Sequence, residues 1–184
     1  MLISICGKSG SGKSTLAKQL NEEIKDSILL DIDKIAHNIY NIDACKEEMI
    51  AHYGDYILTN NEINRKILSK IVFTSEKEMQ VLEEITWKYM ERIMDYQIDK
   101  YKDKVIILEW INLPKTKYLK ESKIRILLDT PDSIRKERVL KRDKITEEDY
   151  EIRDSAALTY DKSEFNIILK EINEETIERI KKEL

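Results

Sequence analysis

Eight consecutive residues, Gly7-Lys8-Ser9-Gly10-Ser11-Gly12-Lys13-Ser14, fit the pattern G-x-x-x-x-G-K-[ST] in full. Glycines let a backbone curl until successive N–H groups point inward at an anion. A helix starting behind them adds unpaired N–H groups and its positive dipole end. The stretch from Gly7 to Thr15 is therefore the expected binding site for a nucleoside triphosphate. Lys13 is expected to reach the β and γ phosphates, and the Ser14 hydroxyl to ligate Mg²⁺. Three of the chain's 4 glycines fall in this window, which argues against a chance turn.

Two acids follow the next apolar run, in Leu29-Leu30-Asp31-Ile32-Asp33-Lys34-Ile35-Ala36. In open α/β sheets ligands bind beyond the carboxyl ends of the strands. Asp33 is placed at such an end, where a carboxylate can take a proton from an acceptor hydroxyl or orient Mg²⁺. Asp31 is expected either behind that group or as a metal partner. The plainer alternative is that one of the pair caps the helix that follows.

Arg135, Arg138 and Arg142 stand three and four residues apart and share one helix face, and Arg153 lies on the next helix. Alone, such a row reads as a solvated face paired with Glu137, Glu147 and Glu148. Behind a phosphate loop, in a helix–turn–helix able to close as a lid, Arg138 and Arg142 are expected to stabilise transferred charge and exclude water. Glu109 ends an apolar run and resembles a Walker B carboxylate, although any strand may end in an acid. His37 and His52 have no evident partner. Cys6 and Cys45 lack metal-ligand spacing, and Cys6 is expected to be a small buried apolar residue.

Elements able to position these groups are visible. Leu2–Cys6, Ser27–Ile32, Lys104–Glu109, Lys123–Asp129 and Phe165–Leu169 read as strands buried on both faces. Helical patterns separate them, so a parallel sheet with right-handed crossovers is expected. Lys34 to Tyr101 contains no good strand and reads as helices. The longest covers about residues 75–100, with Met79, Leu82, Ile85, Tyr89, Ile93 and Tyr96 on its apolar face, widened by Trp87, Met90 and Met94. Thr130 is expected to cap the arginine helix, and Thr146 with Asp149 to form a capping box.

The 184 residues suit one domain. Charged residues make up 37%, yet 32 basic against 36 acidic groups leave a net charge of −4 with the signs interspersed. Nothing points to nucleic acid as a partner. No apolar run approaches the roughly 20 residues of a membrane helix, and the chain enters a strand at once, so no membrane association and a cytoplasmic location are expected. The sequence does not speak to oligomeric state.

Four ordered segments spanning most of the chain resemble the dephospho-CoA kinase family. They are the phosphate loop, Leu29–Ala36, the run from Tyr53-Gly54 through Ile63-Asn64-Arg65 and Ile71-Val72-Phe73 to Leu82–Ile85, and Arg138 with Arg142-Asp143 through Thr146 to Arg153 and Lys162. The resemblance implies an ATP-dependent, Mg²⁺-requiring kinase acting on the 3′-hydroxyl of dephospho-CoA. It implies a three-layer α/β/α P-loop kinase fold with a five-stranded parallel sheet. The expected core is residues 1–33, 102–137 and 159–184, with a helical acceptor-binding region at 34–101 and a lid at 138–158. It implies Asp33 as catalytic base and Arg138 and Arg142 as contacts to the ATP phosphates. Thr86-Trp87-Lys88 stands where the family has histidine–proline, Glu109–Leu113 replaces proline-leucine-leucine, and Ala157 replaces a glutamine. These departures keep open a related kinase for a nucleoside, nucleotide or other hydroxyl acceptor; a nucleotide-binding regulator, with the long helical region as a partner surface, is the alternative from another class.

Overall fold

The computed structural model describes residues 1–184, which form two compact units, Met1–Asp31 with Tyr101–Leu184, and Ile32–Lys100. In the first unit, β1 (Leu2–Cys6) leads through the glycine-rich loop into α1 (Lys13–Glu23), and β2 (Ser27–Asp31) follows. The second unit holds α2 (Ile32–Asn38), α3 (Asp43–Tyr53), the two-residue strands β3 (Leu58–Thr59) and β4 (Glu62–Ile63), α4 (Arg65–Val72) and α5 (Glu76–Lys100). The chain then returns to the first unit as β5 (Val105–Glu109), α6 (Lys117–Glu121), β6 (Ile124–Leu128), α7 (Asp132–Asp143), α8 (Glu147–Ser155), β7 (Ile167–Leu169) and α9 (Glu174–Lys182).

Five strands form one parallel sheet in the order β2-β5-β1-β6-β7. The five expected apolar runs supply them, each trimmed by a residue or two except the first. Phe165 and Asn166 fall outside β7 because Asn166 Oδ1 accepts the Arg125 N–H at 2.7 Å, a side chain taking the place of a ladder bond. Ile3, Ile5, Ile107, Ile126 and Leu128 pack from one sheet face against Leu16, Ala17 and Leu20 of α1 and Ile177 and Ile180 of α9. On β1 the buried Ser4 hydroxyl lies 2.6 Å from Ser122, whose own proton goes to Tyr118 O at 2.7 Å; Ser4 is therefore the donor of that pair. From β1 the chain passes to one side of the sheet and, after β5, crosses to the other. The loop behind β1 thus occupies the switch point where a parallel sheet opens a crevice.

One expectation about the helix starts fails for an identifiable reason, and one holds. Pro131, not Thr130, is the N-cap of α7, and the Thr130 hydroxyl is drawn away to Ser11 O at 3.0 Å. The capping box of Thr146 and Asp149 forms as expected.

The helical unit contains a hairpin where no strand was expected. Asn60 and Asn61 both adopt positive φ, 52° and 63°, the tight-turn conformation that asparagine tolerates. Asn64 accepts from the N–H groups of Lys66 and Ile67 to start α4. Along α5 the buried residues are Thr86, Tyr89, Met90 and Met94; the last three lie on the expected apolar face, Thr86 is an addition to it, and Tyr96 is 65% exposed. Thr86 can lie inside because its hydroxyl donates to Leu82 O at 2.7 Å. Tyr89 donates to Glu48 Oε1 on α3 at 2.6 Å, and Lys88 pairs with the same carboxylate.

Candidate active site

Four successive carbonyls of the glycine-rich loop are each taken by a side chain. Lys13 Nζ donates to Lys8 O at 3.3 Å, Arg135 Nη1 to Ser9 O at 3.5 Å, Arg138 Nη1 to Gly10 O at 3.2 Å and Thr130 Oγ1 to Ser11 O at 3.0 Å. Holding the carbonyls on one side favours a loop whose N–H groups line the other, the arrangement that receives phosphate. Gly10 makes this possible. Its φ is 78°, and a Cβ there would stand 2.7 Å from Arg135 O. Gly12, with φ 98°, begins α1 with no side-chain cap and no acid in the first turn, so the dipole end stays open to an anion.

Ser14 donates its hydroxyl to Glu109 Oε2 at 3.1 Å, and Lys13 Nζ lies 3.9 Å from Glu109 Oε1. Asp31 is the register partner of Glu109 across the β2–β5 ladder. The result is a hydroxyl and two carboxylates at adjoining strand and helix ends. Oxygen donors without thiol or imidazole suit a hard divalent cation held by one or two carboxylates together with phosphate. Cys6, immediately before the loop, is fully buried, and burial pushes its thiol up to about 12. It is a packing residue, as expected, and an unreactive one.

The arginines divide by depth. Arg135 is 6% exposed and ties three segments together: Nε donates to Thr130 O at 3.2 Å, Nη2 to Asp132 at 2.7 Å and Nη1 to Asp154 of α8 at 2.5 Å. Burial opposes its charge, but the Asp154 hydrogen bond and neighbouring acids raise its pKa further. Arg142 Nη2 donates to Ser9 Oγ at 3.1 Å while its Nε holds Asp143 at 2.6 Å. That hydrogen bond keeps the Asp143 carboxyl below the ordinary range, against a small opposing effect of burial. Arg138 and Arg142 are thus both placed against the loop. A groove of about 540 Å³ runs beside them, lined by Gly12, Thr15, Arg138, Lys170 and Ile172.

Asp31 closes β2. Asp33 stands beyond the strand in the first turn of α2, within the helical unit, and is exposed. The strand stops at Asp31 because its last ladder partner, Glu109, is also the last residue of β5.

A family model described as CoaE, dephospho-CoA kinase, matches residues 1–169. The chain belongs to the dephospho-CoA kinase family. A dephospho-CoA kinase of Aquifex aeolicus is 34% identical over 157 residues, which cover 82% of this chain and 77% of that protein. A solved structure from Thermus thermophilus covers 99% of this chain and 94% of its own with TM-score 0.82 at 23% identity. The dephospho-CoA kinase of Campylobacter jejuni gives 0.64 over 99% and 96%, also at 23% identity. The structural likeness establishes a shared fold.

All four segments that carry the sequence resemblance to dephospho-CoA kinases lie inside the matched residues. Several groups of the site escape a reading by motif. Thr130 reads locally as a helix cap. Lys8 filled an unspecified motif position, yet its Nζ meets Asp154 Oδ2 at 2.8 Å. Arg135 looked like one of three equivalent arginines. A buried polar residue pointing back at a loop cannot be told from a surface one by spacing alone. Trp110 and Leu113, in the segment that departs from other dephospho-CoA kinases, are 8% and 0% exposed and pack in the core. No helix is long and apolar enough to cross a membrane.

Proposed function

We propose that this protein transfers the γ-phosphoryl group of ATP to the 3′-hydroxyl of dephospho-CoA, forming coenzyme A, with Mg²⁺ as the metal. Membership of the dephospho-CoA kinase family carries the reaction and both substrates. The loop whose four carbonyls are held away by Lys13, Arg135, Arg138 and Thr130 supports the placement of the triphosphate.

In this reading the backbone from Gly7 to Thr15 binds the phosphates, and Lys13 leaves its carbonyl partner to follow the β and γ groups. Ser14, Glu109 and Asp31 are the groups that would hold Mg²⁺, and the ion would supply positive charge to offset that of the triphosphate. Asp33 takes the proton of the acceptor hydroxyl as the new O–P bond forms. Arg138 and Arg142 balance charge on the equatorial oxygens, and Arg142 is positioned for this by Asp143. Residues 34–101 supply the acceptor site and residues 138–158 the lid, and the location is cytoplasmic.

The deciding experiment incubates pure protein with ATP, Mg²⁺ and dephospho-CoA and follows coenzyme A by mass spectrometry. Stoichiometric coenzyme A and ADP are expected. ADP release only with another hydroxyl acceptor would overturn the acceptor and keep the chemistry. ATP binding with no transfer to any acceptor would favour a regulator.

A further inference from the structure

One carboxylate joins the phosphate loop to both helices that follow β6. Asp154, near the end of α8, accepts from Lys8 Nζ on Oδ2 at 2.8 Å and from Arg135 Nη1 on Oδ1 at 2.5 Å. Its backbone carbonyl takes a second bond from Lys8 Nζ at 3.0 Å. One turn earlier on α8, Tyr150 donates to the Asp132 oxygen that also receives Arg135 Nη2, each at 2.7 Å. An ordinary ion pair between neighbouring helices would account for Arg135 and Asp154 by themselves. It does not account for what the two cations touch next.

Lys8 and Arg135 both end on the carbonyl side of the loop. Lys8 O accepts from Lys13 Nζ and from Ser11 N at 3.2 Å, so the residue gripped by Asp154 also carries the oxygen that orients the motif lysine. Arg135 donates to Ser9 O, and its own carbonyl lies where a Gly10 side chain would begin. The two partners of Asp154 therefore control residues 8, 9 and 10 in succession. Arg135 is buried, so its orientation depends on its acids; Asp132 alone would leave Nη1 without its shortest partner.

We propose that Asp154 is a positioning residue for phosphoryl transfer: acting through Lys8 and Arg135, it keeps the loop carbonyls turned outward, so that the N–H side is formed before the triphosphate arrives. It touches no substrate. Preorganisation of this kind is read in nucleotide affinity, because a loop that must be ordered on binding gives up part of the contact energy. The proposal rests on the ATP site described above.

Affinity for a non-hydrolysable ATP analogue with Mg²⁺, measured by calorimetry, tests it. Asp154→Asn and Lys8→Ala are each expected to weaken binding about tenfold, the size of one lost charge-assisted hydrogen bond. The double variant is expected to bind no more weakly than the worse single one, because both remove the same link. Asp154→Glu is expected to recover part of the affinity, and the transfer rate at saturating ATP to stay within about threefold of wild type in the Asp154 variants. A purely structural pair would lower the melting temperature and leave the affinity of the folded protein unchanged. Wild-type affinity in Lys8→Ala or Asp154→Asn, or losses that simply add, would overturn the proposal. If Asp154→Asn does not fold, Lys8→Ala decides alone by the same criterion. Failure of the wild-type protein to bind ATP would instead sink the site assignment itself.

Discussion

Ser14 at the start of α1 and Glu109 at the end of β5 meet through a 3.1 Å hydrogen bond, although 95 residues separate them. The contact exists because β5 pairs directly with β1, which sets the end of one strand beside the helix that follows the other. It sets Glu109 beside the phosphate loop and opposite Asp31 in the ladder, which is why the proposed reading gives these groups the metal.

Replacing Glu109 by Gln should therefore raise the Mg²⁺ concentration needed for half-maximal transfer by about 10- to 100-fold, with ATP affinity in the absence of metal little changed. A titration of initial rate against Mg²⁺ checks this. An unaltered Mg²⁺ requirement would remove Glu109 from the metal site.

In the proposed mechanism Asp33 takes the proton and does not bind ATP. Asp33→Asn should lower the rate of coenzyme A formation on the order of 10²- to 10⁴-fold while ATP still binds with near wild-type affinity. Single-turnover transfer alongside ATP calorimetry separates the two. Equal losses in both would mean that Asp33 serves nucleotide binding instead.

Gly10 cannot carry a side chain where it stands. With φ at 78° and a Cβ 2.7 Å from Arg135 O, Gly10→Ala should lose about 1–3 kcal/mol of stability. The loop would also be displaced from α7, weakening ATP binding. Thermal melts with and without ATP report the two effects, and an unchanged melt would show that the loop yields freely.

The pH dependence of stability follows from Asp154. Its hydrogen bond from Arg135 holds the carboxyl below the ordinary range, with burial opposing and Lys8 adding to the effect. A depressed folded-state pKa means that the stabilisation is complete above the unfolded value of about 3.9 and is lost as pH falls through the lower folded value. The melting temperature of Asp154→Asn should therefore lie below that of wild type near neutral pH. The gap should narrow below about pH 4 as the wild-type carboxyl takes up its proton. A gap that stays constant into acid would contradict the charge-based role.

Some of this architecture is legible locally. Apolar runs marked the five sheet strands because a parallel strand covered on both faces carries no polar alternation. The glycine-rich loop declared itself because phosphate binding needs a backbone shape that few residues adopt, and the capping box because its partners are three residues apart. The hairpin at Asn60 and Asn61 was missed because strands of two residues carry no periodicity, although the asparagine pair was its signal. On α5 the pattern marks Tyr89, Met90 and Met94 correctly but not Tyr96, which counts as apolar in a pattern and yet stays exposed at the surface.

By itself the sequence determined the phosphate loop, the strand-and-helix alternation and the kinase family, since each is written in contiguous residues whose conformation is set by their neighbours. Only the tertiary structure decided that Thr130 serves the loop instead of a helix cap, that Arg135 is buried while Arg138 and Arg142 reach the loop from the surface, and that Lys8 and Asp154 are partners. Those pairings depend on strand order and on the docking of α7 and α8. These are products of long-range packing, in which one hydroxyl or carboxylate goes to whichever unsatisfied group the fold brings within reach.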